Sequence, residues 1–318
     1  MAGAKSVLFV TGICRDSCFY CPISRDRRGR DVVYVNEVSV GGPKDVVEEV
    51  AASMSEGVGI TGGDPLLALE RVEEYIKLLK DVFSSRFHVH LYTTGTTLSG
   101  ECVERLVKAG LDELRIHVVS NRSLDAARIA LDYSIDVVVE NPVIPGREDF
   151  LKSLIEKLSS MGVKYVNLNE LEVSESNLDS LLLHGLKPSS SGRSVGGSRD
   201  TAIKLIEWVR ECGLAISVHY CPAIYKDIYQ YPRRLMRRAV STKRFFEVID
   251  GGVVRWVEVS GVDLRREWLA GAVIRYRDRY LVPLKLAEAI GLGTVVEALP
   301  TTPRRILNEY PWCQQCLD

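Results

Sequence analysis

The chain has 318 residues, 46% of them hydrophobic, and a formal net charge of −1. That length fits one large α/β domain, or one domain plus a small appendage, and the apolar share excludes global disorder. The charge balance excludes a polyelectrolyte, so any affinity for nucleic acid must come from a local patch. No apolar run is long enough to span a bilayer, and the run after Ser6 is too short for a secretory signal, so a cytoplasmic protein without membrane contact is expected.

The first apolar run, Val7–Val10, is short and β-branched and reads as a buried strand. Gly12 lets the chain turn off its end, and Cys14, Cys18 and Cys21 follow with the spacing C-x3-C-x2-C. Three clustered thiols suggest metal in a reducing compartment. A cubane iron–sulfur cluster normally takes four thiolates, so three would leave one iron open to a substrate or cofactor. Three legs of a zinc site, or free core thiols, are the alternatives, although zinc knuckles favour paired C-x2-C units.

Arg25–Arg30 reads as a solvated loop and Val32–Val40 as an extended flap. Pro43 opens a helix with Val46, Val47, Val50 and Met54 on one face. A second strand, Val58–Thr61, ends in Gly62-Gly63-Asp64-Pro65. Further strands are expected at Phe87–Tyr92, Leu114–Val119, Asp136–Ile144 and Tyr165–Val173, each followed by a helical stretch. These six alternations with short turns are the pattern of βαβ units on a parallel sheet. Pro188–Ser198 is the clearest loop, a helix runs to about Cys212, and Ala215–Tyr220 is a further strand. Beyond it the alternation stops. Hairpins are expected over 245–259 and 272–282 and a helix over 284–290, giving two domains, 1–221 and a small α+β extension 222–318.

The cysteine spacing, the aromatic Tyr20 before the last cysteine, and Gly62-Gly63-Asp64-Pro65 at the end of strand two resemble the radical S-adenosylmethionine (radical SAM) enzymes. The segment 222–244, with His219-Tyr220-Cys221-Pro222 leading into it, resembles an archaeal group within them, described as related to pyruvate formate-lyase activating enzyme. The likeness covers roughly residues 5–185 and implies a partial (β/α)6 TIM-like barrel, with sites at the C-terminal ends of its strands. It implies that Cys14, Cys18 and Cys21 hold a 4Fe-4S cluster whose open iron chelates SAM. A reducing partner such as ferredoxin or flavodoxin follows, and a 5′-deoxyadenosyl radical that takes hydrogen from the substrate. The family's Gly-Gly-Glu-Pro stretch holds the SAM amino group; here the acid is Asp64, one methylene shorter.

Thr93 and Thr94 would then meet the SAM carboxylate or ribose, His117 and Ser120 the ribose, and Asn141 the adenine side, although each reads equally as a satisfied structural polar residue. His88 and His90 share a face of strand three and read as ordinary buried histidines. Asn167, Asn169, Glu170 and Glu172 make strand six unusually polar, as a SAM or substrate pocket would require. His219, Cys221, Cys313 and Cys316 could form a second zinc or iron–sulfur site. Segment 222–244 sets seven basic residues, among them Arg233, Arg234, Arg237 and Arg238, against Asp227 and interleaves tyrosines. An anionic substrate, RNA or a phosphorylated metabolite, is the expectation, against one solvated helix face. The rivals are activation of a glycyl-radical enzyme, and a non-enzymatic iron–sulfur or zinc protein.

Overall fold

The computed structural model describes residues 3–312. They divide into two units, 5–48 with 56–228, and 3–4 with Glu49–Ser55 and 229–312.

The first unit opens with β1 (Lys5–Phe9), the short hairpin β2 (Tyr34–Val35) and β3 (Val38–Ser39), and the start of α1 (Pro43–Ala52). It continues with β4 (Gly57–Thr61), α2 (Leu69–Phe83), β5 (His88–Thr93), α3 (Gly100–Ala109), β6 (Glu113–Ile116) and α4 (Asn121–Leu131). Then come β7 (Asp136–Val143), α5 (Glu148–Ser160), β8 (Tyr165–Glu170), α6 (Leu178–Leu183), α7 (Ser198–Glu211), β9 (Ser217–Cys221) and α8 (Ala223–Tyr225). The helices start and stop where the sequence signals them. Ser99 and Ser120 accept backbone N–H bonds as N-caps of α3 and α4, and Gly110 ends α3 in the left-handed region. In α2, Val72, Tyr75, Ile76 and Leu79 form the buried stripe that a 3.6-residue period requires.

The strands form a nine-stranded sheet in the order β3-β2-β1-β4-β5-β6-β7-β8-β9. From β1 through β4 to β9 the neighbours are parallel and follow chain order. This is the expected set of βα units, and the sheet stays open, with the antiparallel β2–β3 hairpin along β1. Side-chain alternation splits the sheet into two rows. Leu8, Ile60, Leu91, Ile116, Val139 and Leu168 are fully buried in one. The other is polar: His90 lies beside Glu113, Tyr92 beside Arg115, Glu140 beside Asn167, and Asn167 beside His219.

The first unit runs to Ile228, past the boundary expected at 221. The second contains α9 (Tyr231–Thr242), β10 (Val248–Asp250), β11 (Val253–Ser260), α10 (Arg265–Leu269), β12 (Ile274–Tyr276), β13 (Arg279–Val282), α11 (Leu284–Ile290), β14 (Thr294–Leu299) and β15 (Arg305–Pro311). Its six strands form an antiparallel sheet in the order β12-β13-β11-β14-β15, with β10 on β11. Val254 and Trp256 of β11 pack with Ala239 of α9 on one face, while Val257 and Val259 pack with Leu284 and Ala287 of α11 on the other. The strands β14 and β15 extend this sheet beyond the two hairpins that the sequence suggests. Among the described residues no helix is long and apolar enough to cross a membrane.

Candidate active site

The cysteine loop leaves β1 and is tied down at both ends. Arg71 of α2 donates to the Val10 carbonyl at 2.7 Å and forms a two-pronged ion pair with Asp31. The arginine-rich stretch 25–30 is a largely exposed turn, as expected, and its backbone bonds to the loop's root. Gly12 N–H donates to Arg30 O at 2.8 Å, and Gly29 N–H donates to Gly12 O at 2.8 Å. A Cβ on Gly12 would lie 1.7 Å from Arg27 O, so only glycine fits there. Cys14, Cys18 and Cys21 are half-buried free thiols. Cys21 N–H donates to Cys18 O at 3.1 Å, and Asp16 N–H points at Cys14 Sγ at 3.4 Å. Burial pushes the Cys14 and Cys18 thiols up, so without a metal they hold their protons.

Gly62-Gly63-Asp64-Pro65 lies against that loop. Gly63 N–H donates to Thr11 O at 2.7 Å and Asp64 N–H to Ile13 O at 2.8 Å, continuing the β1–β4 pairing into the turn. A Cβ on Gly62 would sit 2.3 Å from Thr11 O, and one on Gly63 would sit 2.2 Å from Ile13 O. The two glycines thus let the backbone entering the cysteine loop pass directly over β4's end. Asp64 is buried, and burial raises its pKa against the stabilising bonds it accepts. Its carboxylate accepts from Thr93 Oγ1 at 2.6 Å, Thr94 Oγ1 at 3.2 Å and Leu66 N–H at 3.2 Å. Asp64 therefore caps the turn Pro65–Ala68 and joins β4 to β5, and both threonines are spoken for as its partners.

The residues at the tips of β6 and β7 converge on the same loop. His117 has its Nδ1 3.0 Å from the Glu140 carbonyl, which can only accept, so Nδ1 carries the proton. Its Nε2 then accepts from the Tyr20 hydroxyl at 2.9 Å, and burial holds the imidazole neutral. Asn141 bridges to Val118 O at 2.9 Å and Val118 N at 3.2 Å, and Ser120 caps α4. Between these tips and the segment Asp16–Tyr20 lies a cavity of about 380 Å³, walled by Val118, Ser120, Asn141, Pro142, Ile144, Arg147 and Leu151. Arg147 and Ile144 went unread in the sequence because no motif marks them. Asn177 was missed too. It is buried, and its Nδ2 donates to Tyr20 O at 2.9 Å and to Glu172 O at 3.0 Å, clamping the cysteine loop to the end of β8.

The polar residues of β8 have internal partners. Asn169 Nδ2 donates to Glu140 Oε1 at 2.7 Å, Glu170 accepts from Ala223 N–H at 2.8 Å, and Glu172 pairs with Lys226. Arg115 completes this network at 3.2 Å from Glu140. His219 Nδ1 lies 2.8 Å from Asn167 Oδ1, and burial raises the Cys221 thiol. Cys313 and Cys316, the remaining members of the expected second metal site, lie outside the described residues.

The basic segment is not the single solvent-facing cationic face that its spacing suggests. Arg238 is no surface cation: it is 3% exposed, with Nε 2.6 Å and Nη2 2.5 Å from the two carboxylate oxygens of Glu49, and its Nη1 reaches Pro300 O. Arg237 bonds the Met54 carbonyl. Arg233 and Arg234 lie over the rings of Tyr229 and Tyr231, with guanidinium carbons 6.0 and 5.4 Å from the centroids. The arginines therefore do not form one free face, because α9 buries Leu235, Arg238 and Ala239 together.

A three-thiol loop at the tip of the first strand, against a glycine turn on its parallel neighbour, defines a radical SAM enzyme, and comparison with known proteins gives the same class. Residues 8–123 match the model of the Radical SAM superfamily. The chain is also 38% identical over 271 residues to a protein of Methanocaldococcus jannaschii described as a candidate glycyl-radical enzyme activating enzyme, covering 81% of this chain and 71% of that one. The chain belongs to the radical SAM superfamily. Among solved structures it is similar to Streptococcus suis SuiB bound to precursor peptide SuiA, with a TM-score of 0.49, 10% identity and coverage of 68% of this chain and 48% of that one. It is also similar to anSMEcpe with bound AdoMet, with a TM-score of 0.45, 14% identity and coverage of 67% and 63%. The chain thus spans about half the length of SuiB.

Membership implies a 4Fe-4S cluster and SAM. The donor set suits them: three half-buried thiols on one braced loop, and an adjoining cavity whose mixed apolar and polar walls are of small-molecule size.

Proposed function

We propose that this radical SAM enzyme takes a hydrogen atom from a glycine of a partner protein. The observation that carries this reading is the 38% identity, over most of both chains, to the M. jannaschii protein with that description. In this reading Cys14, Cys18 and Cys21 hold the cluster and give up their protons as they bind. A cluster held by these cysteines would pass one electron, from a donor such as ferredoxin or flavodoxin, to the sulfonium of SAM, so that the bond from sulfur to the adenosyl carbon breaks, methionine leaves, and a carbon radical able to take hydrogen results. The cavity beside Tyr20 takes the adenosyl end: Val118, Pro142, Ile144 and Leu151 suit a purine face, with Ser120, Asn141 and Arg147 for its polar edges. The backbone of Gly62–Asp64 faces the methionine end, while the Asp64 carboxylate fixes the turn through Thr93 and Thr94.

An RNA or phosphorylated substrate is the second reading. It retains exposed Arg233 over Tyr229 as its support. It ranks lower because Arg238 is enclosed by Glu49.

Isotope transfer separates the two. Anaerobically reconstituted enzyme with dithionite and SAM should release 5′-deoxyadenosine, and Cys18→Ala should reduce that to background. With extract from source cells grown on α-deuterated glycine, the product should carry deuterium. Label arriving only from deuterated nucleosides would replace the protein substrate with RNA.

A further inference from the structure

The polar row of the first unit holds a second convergence of metal-ligating groups, at the other end of the strands from the cysteine loop. His88 and His90 lie two residues apart at the start of β5, and Glu113 opens β6 beside them, paired in register with His90. One donor atom from each lies within 4.8 Å of the other two. The site is built around them. Gly59 of β4 leaves the space that the His90 ring fills, since a Cβ there would come within 2.6 Å of His90 Nε2. Glu113 is held by Arg115, whose Nε donates to Oε1 at 2.6 Å, and Oε2 lies 3.4 Å from His88 Nε2.

The lone pairs already hold a cation. The Lys5 amine is 2.8 Å from His88 Nδ1 and 3.4 Å from His90 Nδ1. Two imidazole Nδ1 atoms face one positive group, and an anchored carboxylate lies against the Nε2 of His88, so together the three residues offer a donor set for a borderline divalent ion.

We propose that His88, His90 and Glu113 form a metal site for an ion such as Zn2+, and that the Lys5 ammonium is its competitor for the two imidazole nitrogens. Three protein ligands leave a fourth position open, the pattern of reactive rather than purely structural zinc. A bound ion would draw the three donor atoms closer together than they lie here. Access comes from a cavity of about 860 Å³ that His88 borders, together with Asp112, Tyr133 and Asp136. This site shares no ligand with the cysteine loop and does not depend on the proposed substrate.

The test uses the full chain with Cys14, Cys18 and Cys21 replaced by alanine, titrated with Zn2+ by calorimetry and with Co2+ by absorption. One equivalent should bind, and the Co2+ spectrum should show d–d bands without thiolate charge transfer. His90→Ala should weaken binding by at least about tenfold. His88→Gln, at a half-exposed position, should do the same should His90→Ala fail to fold. Lys5→Met should tighten binding, because it removes the competing charge. Binding indifferent to both histidine substitutions, thiolate charge transfer from the tail cysteines, or no binding at all would overturn the site. Weaker binding in Lys5→Met would overturn the competition.

Discussion

At the scale of single residues, the glycines of the Gly-Gly-Asp-Pro turn act through what they omit. Gly63 has no side chain because Ile13 O occupies the place a Cβ would take, at 2.2 Å. Gly63→Ala must push the backbone one residue ahead of Cys14. The expected outcome is a fall in iron bound per chain after reconstitution, with the apo-protein still folded by circular dichroism. Wild-type iron content in that variant would show that the loop yields freely. The position of the cysteines and of this turn was legible in the sequence, because spacing and strand-end placement are local signals. The pairing of Tyr20 with His117 was not, since the two stand 97 residues apart and a lone histidine gives no sign of its partner. The same holds for Asn177, which bonds a residue 157 positions away and resembles any other turn asparagine.

At the scale of elements, α9 shows why charge pattern alone misled. The spacing of Arg233, Arg234, Arg237 and Arg238 describes a helical face but not which face is buried. In the structure Arg238 goes inward because Glu49, itself 4% exposed, supplies its counter-charge. Removing one partner of such a pair leaves a bare buried charge and costs about 3–5 kcal/mol, whereas replacing both with apolar side chains is often near neutral. Arg238→Met should therefore lower the urea midpoint of the apo-protein strongly, and the double variant Glu49→Leu with Arg238→Met should recover most of the loss. A double variant as unstable as the single one would contradict this account. The parallel strands were readable as apolar β-branched runs. The end of the second sheet was not: β15 is almost wholly exposed, and its apolar Ile306 and Leu307 are adjacent rather than alternating with polar residues, so its sequence shows no pattern facing a core.

At the scale of the whole molecule, the chain visits its second unit three times, at 3–4, at Glu49–Ser55 and from 229 onward. A chain ending at Ile228 would keep every parallel strand yet leave Glu49 without Arg238, and Ala52 and Met54 without the side chains that bond their carbonyls. Such a truncation should give little soluble protein, and Glu49→Leu should raise the yield. Equal yields with and without that substitution would show that Glu49 finds water instead. The same geometry bears on the order in which the protein can assemble as it is made. The sheet of the first unit follows chain order, so each new strand can dock on the last as it leaves the ribosome. Glu49, however, waits for an arginine 189 residues downstream. At about 5–20 residues per second that delay is roughly 10–40 seconds. Throughout it the back half of α1 is a helix without its partner, so the earliest-made helix is among the last to reach its final surroundings.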